Sequence, residues 1–200
     1  MTEPPDPVID PVNQPAAEPP KGPPGVVPPA QRIAASAIAR LNMRPPTLWI
    51  VTGPPSTRRT QTARAIADIF AKAAHIDGDA IAAAVVRGLV LPGEDPQDES
   101  ERQLELAIRN HCILARSFAE AGFTPVIEYA VLTRHHLDAY RHYLSGAQLR
   151  LAVVPEPAAK ATPLTHLLRD ELTGIGYWTD DAKPAVAAQA AFDSGSASID

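Results

Sequence analysis

The residues best placed to do chemistry form one contiguous string, Gly53-Pro54-Pro55-Ser56-Thr57-Arg58-Arg59-Thr60. It follows an apolar run, Thr47 to Thr52. It precedes a segment in which Ala63, Ile66, Ala67 and Phe70 fall on one helical side. A glycine, a short loop and a hydroxyl residue between a buried strand and a helix are parts of a phosphate cradle. There, backbone N–H groups and the helix N-terminus face the phosphates. A basic side chain meets the terminal phosphates and a hydroxyl meets magnesium. The usual spacing is G-x-x-x-x-G-K-[ST]. Gly53 and Thr60 match it, whereas Arg58 stands for the second glycine and Arg59 for the lysine. Arg58 adds bulk where backbone should approach a ligand closely. Arg59 keeps the charge, but as a planar fork rather than a compact ammonium. Two arginines at a helix N-terminus also oppose its dipole, a cost that a bound anion relieves. The alternative is a plain strand–turn–helix connection with two solvated arginines.

Carboxylates come next. Asp77-Gly78-Asp79 closes a short strand read at Ala74 to Ile76. A carboxylate facing a transferred phosphoryl group accepts the substrate hydroxyl proton. An Asp before an apolar run is also a favoured helix cap. Glu128 stands in the apolar run VIEYAV, where an unpaired carboxylate is expensive. It is therefore either functional or at a strand end facing water. Arg102 and Arg109 are seven apart and could meet an anion. Arg102, however, lies among Glu99, Glu101 and Glu105, which reads as solvated helix pairing. His111 between Ile108 and Ala115 reads as a packed histidine. His135, His136 and His142 show no companion ligands along the chain.

These residues need elements to position them. The pattern predicts strands at Thr47–Thr52, Ala74–Ile76, Thr124–Val131 and Gln148–Val154, with a short last one within Thr173–Thr179. It predicts helices over 31–44, 57–73, 79–87, 101–121, 134–144 and 158–172, with an exposed loop at 91–100. Strands alternating with helices mean an α/β fold, a mostly parallel sheet with helices on both faces. Ligands in such folds sit at the carboxyl ends of the strands. The loop after Thr52, the Asp77-Gly78-Asp79 turn and the end of the Glu128 strand all fall there.

Composition bounds the rest. The chain has 200 residues and 22 prolines, 11 of them in the first 30. Residues 1–30 lack aromatics and read as a disordered or polyproline-like head. That head is a candidate ligand for a proline-recognition partner or, alternatively, a solvated linker. Residues 31–193 suit one domain, and 194–200 read as a flexible polar tail. No apolar run reaches membrane-helix length, and the N-terminus does not look like a secretory signal. The single cysteine, Cys112, fits a reducing cytoplasm. A net charge of −5 argues against general nucleic-acid binding.

Four strings carry a resemblance: LWIVTGPPSTRRT, HIDGDAI, ERQLELAIRNHCILARSFAEAGFTPVIEYAV and LTGIGYWTDD. On these, residues 46–192 resemble the P-loop kinases of small molecules. That group includes chloramphenicol phosphotransferase, gluconate kinase, adenylylsulfate kinase and predicted AAA-type ATP-binding phosphotransferases. The resemblance implies a three-layer α/β/α P-loop NTPase fold, ATP and Mg as cofactors, and a small-molecule phosphate acceptor. It implies Asp79 as base, with Asp77 orienting substrate or magnesium. Residues Gly53, Pro54, Pro55, Ser56, Thr57, Arg58, Arg59 and Thr60 would surround the phosphates. Thr60 and Glu128 would serve magnesium, the latter through water. Members also carry several lid arginines. Here Pro155 to Leu172 offers Lys160, His166 and Arg169, so Arg169 is the lid arginine implied. Loss of an arginine finger costs orders of magnitude in rate. Two functions follow: an ATP/Mg-dependent phosphotransferase, or a pseudokinase that binds without turnover.

Overall fold

Alternate residues of β1 (Thr47–Thr52) enter two different cores. Leu48 and Ile50 join Ile127, Leu151 and Val153 on one face. Trp49 and Val51 join Val126 and Ala152 on the other. A strand covered on both faces must read as a continuous apolar run, and TLWIVT does. The computed structural model describes residues 45–131, 133–156, 162–179 and 183–199. The proline-rich head, the helix expected over 31–44 and Lys160 lie outside the described residues.

β3 (Thr124–Glu128) and β4 (Gln148–Val153) flank β1, and β2 (Ala73–Asp77) and β5 (Tyr177–Trp178) complete the sheet. Its order is β2-β3-β1-β4-β5, and every pairing is parallel. The Trp49 face is covered by α1 (Thr57–Asp68) and α6 (Pro184–Asp193), through Ala63, Ile66, Ala188 and Ala191. The Leu48 face is covered by α3 (Gln97–Glu120), α4 (Arg134–Tyr143) and α5 (Pro163–Leu172), through Leu104, Ile108, Leu137, Tyr140 and Leu168. A single turn, α2 (Gly78–Ala82), follows β2. This is the three-layer α/β/α arrangement with a parallel sheet that the alternation of strands and helices predicts. No described helix is long and apolar enough to cross a membrane.

Several local expectations differ from what is observed; the helix expected over 57–73 ends at Asp68 and the strand expected over 124–131 at Glu128. α2 ends at Ala82 rather than near Arg87, because β-branched Val85 and Val86 precede Gly88, whose φ is +77°. α3 starts at Gln97 rather than Glu101. Pro96 sits at its N-cap, and Asp98 and Glu99 in the first turn complement the helix dipole. The sequence reading assigned no element to 184–193. The run PAVAAQAAFD forms α6, whose alanines blur periodicity but let it lie close to α1. The flexible tail expected at 194–200 is packed over 194–199. Ala197 and Ile199 are buried, the Ile199 N–H donates to Leu149 O at 3.1 Å, and Arg141 Nε donates to Ile199 O at 2.9 Å. The reason is the alternation in ASI: Ala197 enters the Trp49 core and Ile199 the Leu48 core. Polar composition hides two anchors.

Candidate functional site

The register brings three strand ends level. Glu128 on β3 stands opposite Val51 on β1 and Asp77 on β2. The loop after β1 therefore opens directly beside Glu128. Gly53 has a φ of +143°, and a Cβ there would lie 2.1 Å from Val154 O. Backbone conformation and the neighbouring strand both require glycine. Pro54 and Pro55 have no N–H, so two positions of the loop contribute no donor to an anion. Ser56 is the N-cap of α1, and its Oγ accepts from the Arg59 N–H at 3.2 Å. One donor of the helix N-terminus is thus already used. Thr57 is exposed.

The two arginines go to different places. Arg58 Nη1 donates to Pro155 O at 3.3 Å, beyond the end of β4. Arg59 is 1% exposed and turns inward. Its Nε donates to Glu128 Oε1 at 3.0 Å, its Nη1 to Gly53 O at 3.0 Å, and its Nη2 to Asp79 Oδ2. Thr60 Oγ1 donates to Glu128 Oε1 at 2.7 Å, and His75 Nε2 meets Glu128 Oε2 at 2.8 Å. Burial by itself would raise the Glu128 carboxyl. The hydrogen bonds from His75, Thr60 and Arg59, with the Arg59 charge, outweigh it and bring the pKa down to about 2. Glu128 is therefore ionised, and its buried charge is paired.

Asp79 is about half-exposed, 54%, with Arg59 on one oxygen. Asp77 caps α2, its Oδ1 accepting from the Ala80 N–H at 3.1 Å. Gly78 between them is also required. A Cβ there would lie 2.4 Å from the Tyr129 ring. Arg169 is exposed in the last turn of α5 and, among the described residues, makes no contact with this cluster. Structure thus gathers Gly53, Arg59, Thr60, Asp79 and Glu128, and leaves Arg58, Asp77 and Arg169 in other contacts or none with it.

Sequence reasoning missed His75. Its signal was the H-x-D spacing on β2, which points His75 and Asp77 to one side of the strand. Tyr129 was missed as well. It lies against Gly78 and borders a cavity of about 360 Å³ beside α2, lined also by Ile81, Val85, Leu106, Arg87 and Asn110.

The residues, as arranged, do not fit magnesium. Magnesium needs near-octahedral oxygen ligands and is usually held by one or two carboxylates with waters and phosphates. Both oxygens of Glu128 are engaged by His75, Thr60 and Arg59, and a guanidinium stands between Glu128 and Asp79.

No protein-family model and no curated protein matches the chain. Among solved structures, the tunicamycin resistance protein of Deinococcus radiodurans is similar at 16% identity. The likeness covers 78% of this chain and 99% of that one, with a TM-score of 0.52. That likeness establishes the fold alone. A sugar kinase from Janibacter sp. HTCC2649 shares 17% identity over 74% of this chain and 93% of its own, at TM-score 0.45. A gluconokinase from Sinorhizobium meliloti 1021 shares 16% over 74% and 91%, also at 0.45. At those scores neither carries an argument.

Proposed function

We propose that this chain is a kinase-like protein with impaired phosphotransfer, a pseudokinase whose 31–193 domain binds a ligand or partner without turning it over. One observation carries the reading: the buried Arg59 guanidinium joins Glu128, Asp79 and Gly53 O. In the proposed ancestry these are the metal carboxylate, the base and the phosphate loop. A fixed internal cation there replaces the mobile ones that phosphotransfer requires. A carboxylate oxygen already engaged by a guanidinium is not open to a substrate hydroxyl. The cavity beside Tyr129 is the proposed small-molecule site. Its Ile81, Val85 and Leu106 suit an apolar body, and Arg87 and Asn110 suit a polar substituent.

A second reading keeps catalysis. Thr60 remains beside Glu128, and Asp79 is half-exposed, so a nucleotide that drew Arg59 outward would find both in place.

Calorimetric titration with ATP and magnesium separates the two. We expect no binding at millimolar nucleotide for the native chain. The double substitution Arg58→Gly with Arg59→Lys is expected to raise ATP affinity at least tenfold, because it restores a glycine and a compact ammonium. Tight, magnesium-dependent binding by the native chain would overturn the pseudokinase reading. Asp79→Asn would then report on turnover.

A further inference from the structure

Metal-ligating side chains also meet away from the phosphate loop. Glu101 and Glu105 lie one turn apart on α3, and His135 lies in the first turn of α4. One ligand atom from each lies within 4.8 Å of the other two. His135 Nε2 is 3.2 Å from Glu105 Oε1. Along the chain His135 has its nearest neighbours of this kind in His136 and Asp138, which are turned to Glu101 and Arg141 instead. The packing of α4 on α3 supplies two, from 30 or more residues away.

We propose that Glu101, Glu105 and His135 form a site for a borderline divalent transition-metal ion, with zinc as its type. The proposal does not depend on the fate of the phosphate loop.

The geometry around Glu101 supports it. His136 is buried, 1% exposed, and its Nδ1 lies 3.2 Å from the Thr133 backbone N. That N–H can only donate, so Nδ1 accepts and the ring proton is on Nε2. Nε2 lies 2.7 Å from Glu101 Oε1 and donates to it. A buried ring thus holds one oxygen of the carboxylate, and the group has a second oxygen to offer. Metal-ligating carboxylates are commonly oriented in this way. Glu105 and His135 complete the set from exposed positions reachable from solvent. Arg102 is directed to Asp98 and Glu99, and Arg134 to Glu171. Neither guanidinium is spent on Glu101 or Glu105.

The donor set selects the ion. One imidazole nitrogen and two carboxylate oxygens are all ligand types that zinc takes, and three of them leave a fourth position open. Magnesium and calcium favour oxygen ligands throughout and more of them. Imidazole shifts preference toward the later first-row metals. The bound ion would join α3 to α4, the two helices that cover the Leu48 face.

The test uses the full chain, stripped with a chelator and titrated with zinc alone. We expect saturable binding of one ion at micromolar or lower concentration, unmoved by millimolar magnesium. The double substitution Glu105→Gln with His135→Ala should weaken it at least tenfold. Both side chains are exposed, so this variant keeps the packing, and circular dichroism checks that it does. His142→Ala, outside the cluster, should bind as the native chain does. A second readout needs no variant: histidine ring signals in NMR spectra of the native chain. Zinc should shift the His135 ring and leave those of His75 and His166 in place. No binding, binding unchanged in the double variant, displacement by magnesium, or shifts confined to other histidines would each overturn the proposal.

Discussion

Arg59 and Arg150 are both held against the sheet, and they do different work because of what they meet. Arg59 ends on two carboxylates and one carbonyl at the carboxyl ends of the strands. Arg150, on β4, ends on neutral groups. Its Nη2 donates to Ala191 O and Ser194 O, and its guanidinium lies 4.5 Å from the Trp49 ring and 5.7 Å from that of Phe192. Arg150 joins α6 and the segment after it to the Trp49 face. Its hydrogen-bond and ring partners are neutral at every pH, and Asp193 acts on it only through its charge. The partners of Arg59 include two carboxylates, which titrate. The same side chain is therefore a permanent brace in one region and a charge-dependent lock in the other. Only the lock coincides with residues that could do chemistry.

The sharpest way to break the comparison is to remove each arginine. Arg59→Leu leaves Glu128 buried without its cation. Removing one partner of a buried pair costs roughly 3 to 5 kcal/mol, and urea unfolding should show a loss of that size. Arg150→Leu loses hydrogen bonds to carbonyls and a cation–π contact, about 1 to 2 kcal/mol in the same experiment. It should also speed amide exchange at Ile199, whose N–H bonds Leu149 O. Equal losses from the two substitutions would remove the distinction.

The pH dependence sharpens the contrast further. Glu128 titrates at about 2 in the folded chain against an ordinary 4.5. The stability this gives is complete above pH 4.5 and is lost as pH falls toward 2. His111 acts in an earlier window. Burial lowers its pKa from 6.5 to about 4, against the opposing Gly78 backbone and Asp77 charge. The unfolded chain takes up that proton first, so stability declines as pH falls from 6.5 to 4. Thermal melting across this range should show both steps. Arg150→Leu should preserve both steps, whereas Arg59→Leu should flatten the one below 4.5. His111→Gln should abolish the one above it.

Much of the fold was legible because burial on two faces leaves its mark on composition. TLWIVT, the core of TPVIEYAV and QLRLAV could not be exposed strands, and their alternation with helices implied a parallel sheet. His111 was legible as a packed ring, and it is fully buried with its Nδ1 3.2 Å from the Tyr140 hydroxyl. Arg102 was legible as a solvated pairing residue among Glu99, Glu101 and Glu105; of these it meets Glu99, and it meets Asp98 as well. The tail and α6 were not, since alanine and serine give no periodic signal and their burial depends on what α1 and β4 present to them.

The sequence by itself determined the class of fold, the place of the loop between β1 and α1, and the presence of a basic residue at position 59. Local propensity and hydrophobic pattern are properties of neighbours along the chain, so they can be read from it. Where that basic residue points could not. The direction of Arg59 depends on Glu128, 69 residues away, and Asp79, 20 residues away, coming level at the strand ends. The same holds for His135, whose Glu101 and Glu105 lie on another helix. Charge pairing acts through space, with an energy set by distance and burial. Only the tertiary structure decided whether position 59 faced a ligand or the protein's own carboxylates.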